Sequence, residues 1–161
     1  MRILVLLKQV PDTDEVKLDP ENGTMIREGV GTVINPLDLH ALESAIRIKE
    51  SGEHELTVVS MGPPAAEEAL REAIAMGADR AVLLTDRKFA GADTWATAKT
   101  LSAMIGLEGP YDLILAGEKA TDGETGQVGP ETGAMLGVPV ITYVSRIIEV
   151  GEDGMVAERE V

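Results

Sequence analysis

The sequence predicts an α/β domain, doubly wound around a mostly parallel five-stranded sheet of Rossmann-like type. Short apolar strands alternate with longer helical segments along the chain, in four strand-to-helix steps. The strands are near-continuous apolar runs, which is typical of strands that helices cover on both faces. Polar or glycine-rich segments follow the strands. A β-hairpin excursion and a C-terminal antiparallel strand pair complete the predicted architecture.

The first half of the chain is predicted to hold two strands, a hairpin and two helices. The turn sequence Asp19-Pro-Glu-Asn-Gly23 between two β-like pieces predicts the hairpin, and Asn35 followed by Pro36 is a favourable helix start. In order, the predicted elements are strand 3–7, hairpin 16–18 with 24–26, helix Pro36–Glu50, strand 56–60, and a helix from after Pro64 to about Ala75.

The second half continues the alternation. Asp93 is a candidate N-cap, and Glu152-Asp153-Gly154 is a candidate turn between two final strands. The predicted elements are strand 81–84, a loop over 85–91, helix 94–105, strand 112–116, helix 131–136, strand 139–144, and the antiparallel pair 146–150 with 155–160.

Length and composition indicate one domain over residues 1–161. The chain is 44% hydrophobic and has no apolar run near the roughly 18 residues of a membrane span. It shows no signal-peptide pattern, so we expect a cytoplasmic protein that is not an integral membrane protein. The absence of cysteine excludes disulfides, thiolate metal sites and a cysteine nucleophile, and only two histidines argue against a histidine metal site.

The formal net charge of −14 argues against nucleic acid as a partner, because nucleic-acid binding requires clustered lysine and arginine. Aromatic residues make up 2% of the chain, so a stacking platform for single strands is not predicted either. Solubility is the simplest reason for this acidity, and a basic partner surface is the alternative.

The stretch from Tyr111 to Pro130 is the most informative part of the sequence. A buried strand leads into a loop of glycine and small polar residues, and a helix follows. This arrangement is a recurrent phosphate cradle, because N–H groups at a helix N-terminus are unpaired and carry partial positive charge. The spacing of Gly117 and Gly123, with Glu124 in place of lysine, excludes a P-loop. A plain strand-to-helix turn is the alternative, although the loop is longer than such a turn requires.

The first strand does not carry the dinucleotide fingerprint G-x-G-x-x-G, because residues 8–12 contain no glycine. Ligands of open α/β sheets nevertheless bind beyond the carboxyl ends of the strands. Four loops follow such ends, and Asn35-Pro36 opens a helix at the same edge. The loops span residues 8–12, 60–64, 85–93 and 117–129. We therefore expect one edge of the sheet to hold the binding site.

Several motifs along essentially the whole chain resemble the β subunit of electron-transfer flavoproteins. In order they read Val5-Leu-Leu-Lys-Gln-Val-Pro-Asp-Thr13, Asn35-Pro-Leu-Asp38, Ser60-Met-Gly-Pro63, Ala75-Met-Gly-Ala-Asp-Arg80, Gly91-Ala-Asp-Thr94, Asp112-Leu-Ile-Leu-Ala-Gly117 and Asp122-Gly-Glu-Thr-Gly-Gln-Val-Gly-Pro130. The resemblance implies an adenine-nucleotide-binding domain that pairs with an α subunit. That partner carries the electron-transferring FAD, and dehydrogenases or other redox proteins exchange electrons with the complex.

The resemblance also assigns roles to residues. Leu6 would pack beside the adenosine, Met61 would lie along the adenine, and Thr94 and Thr97 would approach an isoalloxazine ring. Helix capping is the alternative role for Thr94 and for Asn35, and core packing is the alternative for Met61. The adenine and ribose side would be formed by Asn35, Pro36, Leu37 and Asp38. The ribose and phosphates would be held by Gly117, Ala120, Thr121, Asp122, Gly123, Thr125, Gly126, Gln127 and Val128.

Members of this family hold either AMP or a second FAD in the β subunit. The loop Asp122-Gly-Glu-Thr125 is shorter and less acidic than in the AMP-type members, so the resemblance favours FAD, with AMP as the alternative. FAD-holding members resemble electron-bifurcating complexes that oxidise NADH. No nucleophile–base pair is visible, so no catalytic residue is predicted and the chemistry would belong to the flavin.

The resemblance leads to one further expectation about length, and one alternative function is kept beside it. Its members continue for roughly another 80–100 residues, so the chain is expected to be an N-terminal fragment that lacks the C-terminal arm. A stand-alone nucleotide sensor of the universal-stress-protein type is the alternative function. Its usual loop, G-x-x-G-x(~9)-G-[ST], has a different spacing from the loop of this chain.

Overall fold

The structure is a computed structural model that describes residues 1–12, 17–18, 25–26, 31–151 and 154–160. The helices are α1 (Pro36–Glu50), α2 (Glu67–Met76), α3 (Thr94–Glu108) and α4 (Val128–Leu136). The strands are β1 (Arg2–Leu6), β2 (Gln9–Pro11), β3 (Lys17–Leu18), β4 (Met25–Ile26), β5 (Thr32–Ile34), β6 (Glu55–Met61), β7 (Arg80–Leu84), β8 (Leu113–Ala116), β9 (Val144–Gly151) and β10 (Gly154–Arg159).

The central sheet contains four parallel strands in the order β7-β6-β1-β8. In its register, Leu4 of β1 lies between Thr57 of β6 and Ile114 of β8. The predicted fold class, an α/β domain with a mostly parallel sheet and antiparallel strand pairs, is confirmed.

Helices cover both faces of this sheet, which explains why its inner strands are apolar without alternation. Alternate residues of β1 point to opposite faces. One face packs α1 and α2 against the sheet in a core that includes Ile3, Val5, Leu42, Val58 and Leu70. The other face packs α3 against the sheet through Leu4, Leu6, Val59, Leu101, Met104 and Ile105. None of the helices in the described part of the chain is long and apolar enough to cross a lipid bilayer.

The strand order creates a topological switch point beside β1. From β1 the chain moves outward to β6 and β7, and then crosses back to place β8 on the other side of β1. The loops after β1 and β8 therefore diverge from neighbouring strand ends and leave a crevice between them. The crevice brings residues near the N-terminus and the glycine-rich loop to the same edge of the sheet.

The antiparallel pairs agree with the prediction and add one that the sequence did not predict. Strand β3 pairs with β4, and β9 pairs with β10. The turns predicted at residues 19–23 and 152–153 lie outside the described residues. The additional pair joins β2 to β5, with Gln9 opposite Ile34, in segments predicted to be loop and excursion. Both segments are only three residues long, too short for a recognisable alternation.

The fifth strand predicted over residues 139–144 is wrong, so the sheet has four strands and not five. After α4 this segment does not pair with the sheet, and β9 begins only at Val144. Val140 packs against α4 instead, where a Cβ on Gly133 would lie 2.4 Å from Val140 Cγ2. Pro139 has no N–H to donate to a ladder, and Tyr143 has a φ of 57°, which is not a strand conformation.

Replacing a buried leucine of α1 tests whether this helix packs on the sheet through Leu42. Leu42 is fully buried, whereas Leu107 near the end of α3 is 88% exposed. We expect Leu42→Ala to lower the free energy of unfolding by roughly 2–5 kcal/mol, because it leaves a cavity against the sheet. The control Leu107→Ala is expected to change it by less than about 0.5 kcal/mol. Urea unfolding of both variants measures the difference, and equal losses would contradict this packing.

Candidate functional site

A cleft of about 630 Å³ lies beyond the carboxyl ends of β1, β6 and β8. The start of α3, the glycine-rich loop and the start of α4 form its walls. Its volume lies within the roughly 300–1,000 Å³ that small-molecule sites span. Its floor is apolar, with Leu6, Val59 and Leu101, and its rim is polar. The edge of the sheet that the sequence predicted is therefore the edge that holds this cleft.

Most of the predicted site residues line this cleft. They are Leu6, Asp38, Met61, Thr94, Thr97, Gly117, Ala120, Gly123, Thr125, Gly126, Gln127 and Val128. The other predicted residues are not among those that line it: Asn35, Pro36, Leu37, Thr121 and Asp122. Met61 also packs partly against the core on the α3 side of the sheet, so its predicted core role and its place in the cleft coexist.

Asn35 attaches the glycine-rich loop to the start of α1. Its side chain is 1% exposed and does not cap its own helix. Instead Nδ2 donates to the carbonyl of Lys119 at 2.9 Å, and Oδ1 accepts from the N–H of Thr121 at 3.1 Å. Both polar atoms of a buried amide are thus satisfied by loop backbone. Asn35 is the N-cap residue of α1, as predicted, but its side chain makes no capping bond and instead binds the loop.

Asp38 lies between the loop after β1 and the loop after β8. The N–H of Lys8 donates to its Oδ2 at 2.7 Å. On the other side, a Cβ on Gly117 would stand 2.3 Å from Oδ1 and 2.8 Å from the Asp38 nitrogen. Burial raises the pKa of Asp38 to about 6, although the N–H of Lys8, the Asn35 amide, the N–H of Gly117 and the charge of Lys8 act in the opposite direction.

Two ion pairs involve the glycine-rich loop, and one of them joins it to the loop after β1. Lys8 Nζ contacts both carboxylate oxygens of Asp122, at 2.7 and 2.8 Å, and so joins the loop after β1 to the glycine-rich loop. Lys119 lies 3.6 Å from Glu124 within that loop. All four side chains are partly exposed, so each pair contributes little to stability by itself. Their effect is to balance charge in a cleft that carboxylates would otherwise dominate.

The end of the loop presents backbone to the cleft. Glu124 has a φ of 52° and Gly126 a φ of 63°, so the chain turns twice through the left-handed region before α4 begins. A non-glycine residue held at positive φ stores strain, and such strain concentrates at binding sites. After these turns Gln127 and Val128 open α4 at the cleft, where N–H groups of the first turn have no acceptor within the helix.

The start of α3 forms the opposite wall. Asp93 is the N-cap, and its carboxylate accepts from the N–H of Ala96 at 2.8 Å. The alternative capping role of Thr94 is therefore wrong. Thr94 Oγ1 lies 3.3 Å from Gln127 Oε1 and 3.2 Å from Glu131 Oε1, so it links α3 to α4 across the cleft. Thr97 Oγ1 donates to the carbonyl of Asp93 at 2.8 Å, which leaves its lone pairs available.

Sequence reasoning missed several charged and aromatic lining residues. They are Lys8, Phe89, Asp93, Glu118, Lys119 and Glu124. The motif that contains Lys8 was recognised, but nothing local indicated that its side chain reaches Asp122, 114 positions away. Phe89 follows β7 in a 3-10 turn, Arg87–Phe89, within the segment predicted to be loop. The position of the Phe89 side chain depends on how that turn packs, and the spacing of apolar residues in the sequence does not predict this.

Among the residues that the structure describes, no cluster of three or more histidine or acidic side chains could hold a metal ion. His40 is exposed on α1 and His54 lies at the opposite end of the sheet, where its Nδ1 is 3.0 Å from the N-terminal amine. The cleft has an apolar floor and a rim formed largely by loop backbone. The fold and the cleft together define an α/β domain with a candidate ligand site at the carboxyl edge of its parallel sheet.

The comparisons with known proteins name the family. The model of the electron transfer flavoprotein domain matches residues 22–161, and the chain belongs to this family. It is 57% identical, over 99% of its length, to an electron transfer flavoprotein subunit beta of Thermoanaerobacterium thermosaccharolyticum, of which it covers 60%. It is 58% identical over 91% of its length to the caffeyl-CoA reductase-Etf complex subunit CarD of Acetobacterium woodii, and covers 56% of that protein.

A more distant relative extends the same comparison. The chain is 48% identical over 99% of its length to Protein FixA of Bradyrhizobium diazoefficiens, of which it covers 57%. The chain thus spans slightly more than half the length of these relatives. The predicted family, the β subunit of electron-transfer flavoproteins, is confirmed.

Two alanine substitutions in the glycine-rich loop test how closely it packs on α1. A Cβ on Gly117 would overlap backbone of Leu37 and Asp38, which cannot rotate away, whereas a Cβ on Gly123 meets nothing within 4 Å. We expect Gly117→Ala to lower the free energy of unfolding by about 1–3 kcal/mol. The matched control Gly123→Ala is expected to change it by less than about 0.5 kcal/mol. Chemical denaturation provides the measurement, and a neutral Gly117→Ala would contradict the close approach.

Proposed function

We propose that this chain is the nucleotide-holding part of an electron-transfer flavoprotein β subunit, and that the cleft binds the adenine-nucleotide portion of FAD. The observation that carries the proposal is the glycine-rich loop between β8 and α4, whose backbone the Asn35 side chain binds and which packs against Asp38 at Gly117. A loop fixed in this way presents backbone N–H groups at a helix N-terminus, where phosphates bind in many α/β proteins.

The residues present fit a dinucleotide. Leu6, Met61 and Val59 form an apolar surface against which an adenine would pack, and the cleft extends from them along the loop to α3. Thr125, Gly126, Gln127 and Val128 lie where the phosphates would reach the start of α4. Thr94 and Thr97 on the facing wall lie where the distal part of a longer ligand would end.

The charged residues of the cleft favour a phosphate bound by backbone N–H groups over one bound by lysine side chains. Four carboxylates and two lysines line it, namely Asp38, Asp93, Glu118, Glu124, Lys8 and Lys119. A phosphate would be repelled by this set unless neutral N–H donors and a helix dipole stabilised it. Because Lys8 and Lys119 each pair with an acidic side chain, they hold the loop in place as well as offsetting charge.

FAD is the proposed ligand and AMP the alternative, because both share the adenosine and the first phosphate. The cleft continues past the phosphate region to Thr94, Thr97 and Phe89, which supports the longer molecule. Bound FAD would supply the redox chemistry, in which hydride from NADH or electrons from a dehydrogenase pass on to an acceptor. The chain would orient the ligand, shield it from water on the sheet side and hydrogen-bond its phosphates.

An α subunit is the proposed partner, in a heterodimer. Its support comes from the relatives: three similar proteins are named as β subunits, and another as part of a reductase–Etf complex. The C-terminal hairpin of β9 and β10 carries exposed apolar side chains, including Ile148 and Val156, each 53% exposed. A two-stranded hairpin is marginally stable by itself, so contact with another surface is expected to stabilise it.

The binding proposal is tested with the chain itself. Trp95 is its only tryptophan, is 56% exposed and follows Thr94 in the first turn of α3, so its fluorescence reports on the cleft. We expect AMP and FAD each to change it with saturation. Thr125→Val removes a hydroxyl proposed to bind phosphate and should weaken binding roughly ten- to a hundredfold. Thr100→Val is the control, since its hydroxyl bonds the Ala96 carbonyl within α3.

The choice between FAD and AMP is tested with the complex. The chain is co-expressed with an electron-transfer flavoprotein α subunit, and the purified complex is acid-treated to release its nucleotides for chromatography. About two flavins per heterodimer is the expected result. A result of one flavin and one AMP per heterodimer would show that AMP, and not FAD, occupies this cleft. ATP binding without any flavin would overturn the flavoprotein proposal in favour of a nucleotide sensor.

A further inference from the structure

We propose that Asp38 is a positioning residue for nucleotide binding, and that the proton on its carboxylate controls how firmly the glycine-rich loop is held against the end of β1. The inference deepens the proposed function and rests on it only for the ligand. Its geometry is independent of any ligand, because it concerns contacts between α1 and the two loops that form the cleft.

The position of Asp38 explains why it acts on both loops together. Its backbone belongs to the first turn of α1, which the buried Asn35 and the core around Leu42 fix to the body of the domain. Its Oδ2 accepts from the N–H of Lys8, at 2.7 Å, and its Oδ1 lies against Gly117. One carboxylate therefore sits between the strand ends of β1 and β8, which are neighbours in the sheet.

Protonation changes what this carboxylate can do. An ionised carboxylate only accepts hydrogen bonds, through two oxygens, and so can serve the N–H groups of Lys8 and Gly117 at once. A protonated carboxyl carries an O–H on one oxygen, which repels a facing N–H donor. On protonation, one of the two loops loses its attachment to Asp38. The contact at Gly117 lies at the start of the glycine-rich loop and acts together with the Asn35 hydrogen bonds to that loop.

The expected pH range follows from burial. With a pKa raised to about 6 from an ordinary value near 3.8, Asp38 is ionised at pH 7.5 and largely protonated at pH 5. The folded state binds this proton more tightly than the unfolded state does. The ionised carboxylate therefore lowers the free energy of unfolding above about pH 6, and this loss is relieved as the pH falls from about 6 to about 4. Ionised Asp38 thus lowers the stability of the fold but accepts hydrogen bonds that hold the loop.

Neighbouring charges also act on this region, and the test must separate them. The charged groups on the two loops beside Asp38 are Lys8 after β1, and Glu118, Lys119, Asp122 and Glu124 on the glycine-rich loop. On α1, the titratable side chain nearest in sequence is His40, which is exposed. Histidines as a class change charge between pH 5 and pH 8, so His40→Gln is the matched control.

The first measurement needs no ligand. The amide resonances of Lys8 and Gly117 are followed by NMR from pH 4.5 to pH 8. We expect both to shift together with one midpoint about pH 6, in the wild type and in His40→Gln. In Asp38→Asn, which has one acceptor and one donor group at every pH, the shared transition should be absent. Resonances that do not move in the wild type, or that still titrate in Asp38→Asn, would overturn the inference.

The second measurement uses FAD, whose phosphates are diesters and keep their charge over this range. By Trp95 fluorescence, we expect the wild type and His40→Gln to bind FAD at least threefold more weakly at pH 5.5 than at pH 7.5. Asp38→Asn is expected to bind with the same affinity at both values. Equal pH dependence in all three proteins would reject Asp38 as its source. If FAD does not bind at all, the proposed function fails, and the amide titration still decides the role of Asp38.

Discussion

The missing side chain of Gly117 allows the first turn of α1 to lie directly against the start of the glycine-rich loop. No larger residue fits, since a Cβ would overlap backbone of Leu37 and Asp38. Because of this approach, Asn35 reaches the backbone of Lys119 and Thr121, and Asp38 reaches the N–H of Lys8. The position of the whole loop, and with it the shape of the cleft, depends on this contact.

Under the proposed function, a strongly acidic protein presents a site for an anion. Its net charge is −14, and carboxylates outnumber lysines along the cleft. Paired lysines reduce the local repulsion, while the partial positive charge comes from backbone at the start of α4. Backbone donors are fixed by the fold and carry no long-range field, so phosphate selectivity does not require a basic surface. The same design leaves the outer surface acidic and available for other partners.

The fold also separates stable from adaptable parts of the site. The floor belongs mainly to β1 and β6, whose inner residues, Ile3–Leu6 and Leu56–Ser60, are buried between helices on both faces of the sheet. The rim belongs to loops that side-chain hydrogen bonds hold: Asn35 and Asp38 behind the loop, and the Lys8–Asp122 pair at its mouth. Hydrogen-bonded loops open at lower free energy than core strands do. Entry of a ligand is therefore expected to involve the rim and not the floor.

The sequence by itself determined the elements and the edge where the site lies, because both depend on local signals. Apolar runs predicted β1, β6, β7 and β8, and glycine spacing marked the loop. Only the tertiary structure decided which contacts assemble it. Asn35 reads as a helix cap but bonds a loop 84 residues away, and residues 139–144 read as a strand but pack on α4. These outcomes depend on strand order and close packing between distant segments, which no local period encodes.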